Sequence, residues 1–211
     1  MFKKQKTQNI ISSKYLDTFD FFLIGDTNIG KTCLLNRYCT DFYSPYKKKR
    51  KKPEIFITST TNDNHEFKLQ FWDILINEET LELNKKIIQK SDGIIFVCAY
   101  DNKESLKRIM YWYRLLNPYT DLNNKEIVIF VNKNDLEDEI VIPDDDIKRM
   151  SNELKTDYYS MSAKTGKGVK KAFTQFTQRV ICKIYNLNQN KYNDVMSTMS
   201  NEGKNKDCCI I

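Results

Sequence analysis

Short apolar runs alternate with longer amphipathic stretches along most of this chain, and that alternation sets the expected fold. Residues 19–24 form an apolar run that ends at Gly25, the pattern of a buried strand. Residues 31–40 set Cys33, Leu34, Leu35 and Tyr38 among polar neighbours and predict a helix. Residues 54–61 and 66–73 predict two strands joined by a turn at 62–64, a hairpin. Residues 94–100 and 127–131 are strongly apolar and rich in β-branched side chains, as buried parallel strands are. Between them, Leu106, Ile109, Met110, Tyr113 and Leu116 recur at helical spacing over 104–116, and the pattern stops before Pro118. Pro143 opens a further helix whose first turn holds Asp144, Asp145 and Asp146, where the helix dipole favours acids. A short strand at 157–161 and a helix at 169–185 complete the set. The expected class is α/β: a doubly wound, mostly parallel six-stranded sheet with one antiparallel strand.

Length and composition narrow this picture. The 211 residues suit one domain with tails: an N-terminal extension at 1–17, a domain at 18–185 and a disordered Asn-, Lys- and Ser-rich tail at 186–211. No apolar run approaches the roughly 20 residues of a membrane span. Residues 1–13 lack the apolar stretch of a signal peptide, so the chain reads as cytosolic. Cys33, Cys39, Cys98 and Cys182 show no metal-like spacing and read as small hydrophobes. The net charge of +6 belongs to one loop, the unbroken run Lys47, Lys48, Lys49, Arg50, Lys51 and Lys52. Without those six, the 34 basic residues fall to 28 and match the 28 acidic ones, so no basic face for nucleic acid is expected. His65 is the only histidine, sits near the hairpin turn, and receives no catalytic role.

The chemistry lies at strand ends. Gly25, Asp26, Thr27, Asn28, Ile29, Gly30, Lys31 and Thr32 fit G-x-x-x-x-G-K-[ST] between a strand and a helix, the context that a P-loop requires. Backbone N–H groups there face phosphate oxygens, Lys31 neutralises the β and γ phosphates, and the Thr32 hydroxyl ligates Mg²⁺. Asn132, Lys133, Asn134 and Asp135 follow the strand ending at Val131. A carboxylate at Asp135 accepts both the ring N–H and the exocyclic amine of guanine, whereas adenine would leave it unpaired. Such a site rejects the wrong base by roughly 10⁴-fold or more. Ser162, Ala163 and Lys164 follow the next strand and bring another loop to the same sheet edge.

These segments resemble the Ras superfamily of small GTPases, its Rab branch most closely, over about residues 15–185. The resemblance rests on Phe21 to Asp26, on Cys33-Leu34-Leu35, on Lys68 to Asp73 and on Ser162 to Gly166. It implies the P-loop NTPase fold, GTP or GDP with Mg²⁺ as cofactors, and a switch in vesicle traffic. It further implies that Gly25 to Cys33 line the nucleotide, with Asp73 holding Mg²⁺ through water and Tyr43 covering the guanine face. Asn132, Lys133 and Asp135 would hold the base, with Ser162, the Ala163 backbone and Lys164 beside it. An exchange factor, a GDP-dissociation inhibitor or escort protein, and effectors would be the partners.

Cys208 and Cys209 look like the paired prenylation sites of that branch. Cys208-Cys209-Ile210-Ile211 also satisfies C-a-a-X with an apolar end, favouring geranylgeranyl. Two lipids anchor durably where one does so marginally, so the expected place is the cytoplasmic face of a membrane, with a cytosolic form on extraction.

The departures from the family fall in the two switch regions. Aligned without a gap, the threonine that senses the γ-phosphate falls on Arg50, and Thr58, Thr60 or Thr61 replaces it only if the hairpin is shortened. After Asp73 the family has Thr-Ala-Gly-Gln-Glu, whereas this chain has Ile74, Leu75, Ile76, Asn77 and Glu78. Ile76 thus replaces the γ-phosphate-sensing glycine. Asn77 replaces the water-orienting glutamine and is the degenerate catalytic position. Asn28 stands where Rab sequences usually have glycine, a mild change because Asn tolerates a left-handed backbone. The unaided Ras site turns over at only about 10⁻⁴ s⁻¹, so hydrolysis here is expected to be slower still. That leaves two readings: a Rab-like switch, or a scaffold that holds guanine nucleotide and barely hydrolyses it. The basic run suits a solvated loop, contact with anionic lipid or an acidic partner, or an Arg50 cation at the γ-phosphate. Trp72 remains from the aromatic trio that Rab partners read, and Ile55 and Ile87 hold the other two places.

Overall fold

The computed structural model describes residues 15–45, 54–62, 65–74 and 78–185. Six strands and five helices follow in the order β1 (Asp17–Ile24), α1 (Lys31–Thr40), β2 (Glu54–Asn62), β3 (His65–Asp73), α2 (Glu78–Lys90), β4 (Gly93–Ala99), α3 (Lys103–Leu116), β5 (Glu126–Asn132), α4 (Asp144–Leu154), β6 (Tyr158–Ser160) and α5 (Val169–Tyr185). The strands form one sheet in the order β2-β3-β1-β4-β5-β6. Every neighbouring pair is parallel except β2 with β3, which is the expected hairpin and runs in register from Glu54↔Asp73 to Asn62↔His65.

The central strands are apolar on both faces because both faces are covered. On β1, Phe19, Phe21 and Leu23 point toward α1 and α5, while Phe22 and Ile24 join the core under α2, α3 and α4. All seven residues of β4 are buried. On the first side, Phe21, Phe71, Phe130, Phe173 and Tyr38 make a chain of ring contacts, with Tyr38 stacked on Phe173 at 4.4 Å between centroids. Edge-to-face and offset pairs of this kind add about 0.5–1.5 kcal/mol each beyond burial.

The boundaries shift by one or two residues from the sequence reading. The larger difference is α2, which has no counterpart among the expected elements. Its buried positions include Leu81, Asn84 and Ile88, so a polar residue interrupts the apolar stripe. Asn84 is accommodated there because its Nδ2 donates to the Thr80 carbonyl at 2.7 Å. Pro143 caps α4 with an extended backbone, and the three aspartates occupy the first turn. Among the described residues no helix is long and apolar enough to cross a membrane. The basic run at 47–52, Ile76, Asn77, Cys208 and Cys209 lie outside the described residues.

Candidate functional site

The loops after β1, β5 and β6 and the end of β3 at Asp73 lie at the carboxyl edge of the parallel strands, where open α/β sheets place their ligands. The loop from Gly25 to Lys31 bends through backbone forms that side chains resist. Gly30, the N-cap of α1, has φ +93°, and a Cβ there would sit 2.3 Å from Asn132 Nδ2. A Cβ on Gly25 would meet the Val97 carbonyl oxygen at 2.3 Å. Asn28 takes φ 66°, the left-handed form its side chain tolerates. No side chain caps the N-terminus of α1, which leaves its first turn suited to an anion.

Lys31 is buried and folds back on its own loop, its Nζ donating to the carbonyls of Gly25 at 2.7 Å and Asp26 at 2.6 Å. Burial pulls its pKa down to about 8, while the carboxylates of Asp73 and Asp26 act in the opposite direction. Both contacts are ones that a bound phosphate can replace. Thr32 Oγ1 donates to Asp73 Oδ2, so the two oxygen donors expected at a Mg²⁺ site are already paired. Hard oxygen donors in small number suit Mg²⁺, which keeps several waters and is completed by substrate phosphate. Among the described residues no three His, Cys, Asp or Glu gather into a metal cluster.

Asn132 ties the site together. It is buried, its Nδ2 donates to the Ile29 carbonyl at 2.8 Å, and its Oδ1 accepts the Ala163 N–H at 3.0 Å. One side chain on β5 therefore joins the P-loop to the loop after β6. Asp135 is held beside it, with Oδ1 accepting the Ser162 hydroxyl at 2.5 Å and Oδ2 lying 3.7 Å from Lys164 Nζ. Lys133 takes φ 67° and pairs with Asp101 Oδ2 at 2.6 Å. Burial pushes the Tyr43 phenol above its ordinary pKa, and nearby Cys33 and Asp135 add to that. Tyr43 packs against the edge of the core that α1 and α5 cover. Thr27 is exposed at the loop's outer surface.

Some supporting residues gave no sequence signal. Arg37 on α1 braces the base loop from below, donating from Nε to the Ala163 carbonyl at 3.0 Å and from Nη2 to the Lys164 carbonyl at 2.9 Å. Asp101, the partner of Lys133, sits after β4. Trp112 and Arg108 on α3 both reach Asp26. Two further clefts, of about 600 Å³ and 630 Å³, lie at the opposite end of the sheet around Lys125, Glu126 and Lys183, and neither includes a P-loop residue.

The fold and this edge define a P-loop domain with the sheet order of the small GTPases. Residues 20–182 match the Ras family, and the chain belongs to that family. It is similar to the Ras-related protein Rab-3D of Homo sapiens, 27% identical over 187 residues, which is 89% of this chain and 81% of that protein. It is similarly related to the Ras-related protein RABD2b of Arabidopsis thaliana, 27% identical over 170 residues (81% of this chain, 84% of the relative). The Ras-related protein Rab-18 of Caenorhabditis briggsae is 26% identical over 172 residues, with the same coverage. The recognition as a Rab-like member of the Ras superfamily is thereby borne out.

Proposed function

We propose that this chain is a guanine-nucleotide-dependent switch of membrane traffic that binds GTP or GDP with Mg²⁺ and hydrolyses GTP slowly. The observation that supports this best is the Asn132 bridge between Ile29 and Ala163 beside the Asp135 carboxylate. It pairs a phosphate-binding loop with a base-reading acid at one edge. In this reading Gly25 to Cys33 surround the phosphates, Lys31 moves from the loop carbonyls to the β and γ phosphates, and Thr32 and Asp73 hold Mg²⁺. Tyr43 covers the base, Asp135 and Lys133 fix it, and Ser162, Ala163 and Lys164 complete that pocket. Cys208 and Cys209 carry geranylgeranyl groups that place the protein on a membrane. An exchange factor, an extracting escort and effectors act on it as they do in the family.

A second reading, a scaffold that holds guanine nucleotide without useful turnover, is favoured by Ile76 and Asn77 at the γ-phosphate-sensing and water-orienting positions. Phosphoryl transfer depends on positioning and charge stabilisation, so these changes bear on rate rather than on binding. Titration with fluorescent GDP and ATP, followed by single-turnover hydrolysis of loaded GTP, tests both readings. Selective GDP binding with turnover well below about 10⁻⁴ s⁻¹ is expected. Equal affinity for ATP would overturn guanine specificity, and turnover at or above the ordinary family rate would remove the case for the scaffold.

A further inference from the structure

Asp26, the second residue of the P-loop, faces two ways. Its carbonyl accepts the Lys31 ammonium at 2.6 Å. Its carboxylate turns toward α3, where Oδ1 accepts the Trp112 indole N–H at 3.1 Å and lies 3.0 Å from Arg108 Nε. The Asp26 side chain is 14% exposed, and that of Arg108 is 48% exposed. Arg108 and Trp112 are four residues apart and so share one face of the helix. The guanidinium also lies over the rings of Trp112 at 5.1 Å and Tyr111 at 5.4 Å.

A carboxylate at this position opposes what the loop has to do. The loop gathers N–H groups and a lysine around a polyphosphate, and a mostly buried negative charge one residue after Gly25 repels that ligand. Trp112 can satisfy the oxygen by hydrogen bonding but cannot cancel the charge. Lys31 is the cation that the phosphates need. Among the described residues, Arg108 is the other cation placed on Asp26.

We propose that Arg108 is a positioning residue for nucleotide retention. It neutralises Asp26 and fastens the start of the P-loop to α3, so that the loop meets phosphate with its full positive character. The proposal rests on the guanine-nucleotide reading above. Packing of α3 is a separate matter, since Leu106, Ile109, Trp112 and Leu116 are buried in the core and seat the helix without Arg108.

Nucleotide release separates these roles. Protein loaded with fluorescent GDP is chased with excess unlabelled GDP at low salt for the wild type, Arg108→Ala, Arg108→Lys, Asp26→Asn and the double variant Asp26→Asn with Arg108→Ala. Asparagine keeps an oxygen for the Trp112 N–H and removes the charge. The Asp26–Arg108 pair lies between an exposed ion pair and a buried one in burial, so Arg108→Ala is expected to release GDP about tenfold faster. Arg108→Lys should fall between it and the wild type. The double variant should release within about twofold of Asp26→Asn alone, because without the charge there is nothing for Arg108 to cancel. Release by Arg108→Ala within twofold of the wild type would overturn the proposal. So would a double variant whose rate exceeds that of Asp26→Asn by as much as Arg108→Ala exceeds the wild type, which would mean a purely structural role. A wild type that holds no guanine nucleotide would instead overturn the functional reading and the positioning role with it.

Discussion

Replacing Asn132 with alanine attacks the junction on which the site depends. The side chain is 2% exposed and makes two hydrogen bonds, from Nδ2 to the Ile29 carbonyl at 2.8 Å and from the Ala163 N–H to Oδ1 at 3.0 Å. Each bond contributes about 1 kcal/mol net, and each buried partner left without one costs about 1–3 kcal/mol. A water entering the space vacated by the amide can repair part of this. The expected loss is therefore about 2–4 kcal/mol of folding stability. At about 2–4 °C per kcal/mol for a domain of this size, Tm should fall by roughly 5–15 °C. The loss also has a functional signature. The P-loop and the loop after β6 lose their common tie, so GDP affinity should fall by more than the roughly fivefold that one hydrogen bond of about 1 kcal/mol accounts for. Urea unfolding of nucleotide-stripped protein measures the first effect, free of the stabilisation that bound ligand adds. GDP titration measures the second. A stability loss below about 1 kcal/mol together with unchanged GDP affinity would refute the reasoning.

Other consequences follow from the same geometry. Gly30→Ala should destabilise by at least about 2 kcal/mol and weaken GDP binding, because φ +93° is strained for alanine and the new Cβ would lie 2.3 Å from Asn132 Nδ2; thermal melts and titration check this. Asp135→Ala should abolish the preference of the site for GDP over inosine diphosphate, which lacks the exocyclic amine; competition binding measures it, and a preference that survives would exclude Asp135 as its source. Lys31 gives a pH dependence. Its folded pKa of about 8 lies below the unfolded value of 10.5, so between them the unfolded chain binds more protons. The stability of nucleotide-free wild type relative to Lys31→Met should then rise with pH through that window and be flat below it, as urea unfolding across pH 7 to 10 would show. A relative stability that stays constant would contradict the burial of a charged Lys31. Restoring Ile76→Gly and Asn77→Gln together should raise single-turnover GTP hydrolysis by at least tenfold, and no change would locate the slow step elsewhere.

Much of the fold was legible because its central strands β1, β4 and β5 are buried on both faces over most of their length. Runs such as residues 94–100 have no competing reading once a Gly or a polar turn bounds them. The P-loop was equally plain, since its glycines are demanded by backbone forms and close approaches that appear at Gly25 and Gly30. Helix α2 was illegible for a physical reason. Asn84 sits at the centre of its buried face and satisfies itself against the Thr80 carbonyl, so the apolar period fails although the helix packs well. The supports of the site were illegible for another. Arg37 reaches the carbonyls of Ala163 and Lys164 from more than a hundred residues away, and Arg108 reaches Asp26 from a different helix. No local pattern encodes such contacts. Asn132 lies between these cases: its place in the base-reading motif was evident, whereas the structure adds that its amide is already engaged in bridging Ile29 to Ala163.

The membrane side of the account is open to a simple check. Protein expressed in cells that prenylate should partition into membranes, and Cys208→Ser with Cys209→Ser should shift it to the soluble fraction, because two lipid chains anchor durably and none does not. Partition that is unaffected by the double substitution would remove the cysteines from that role.

The central claim is that this sheet edge holds guanine nucleotide. Purifying the full chain without added nucleotide, denaturing it and identifying what is released by chromatography tests that claim most directly. The account predicts GDP or GTP in near-stoichiometric amount and no adenine nucleotide. Release of adenine nucleotide, or of none from a folded protein that also fails to bind GDP on titration, would contradict it.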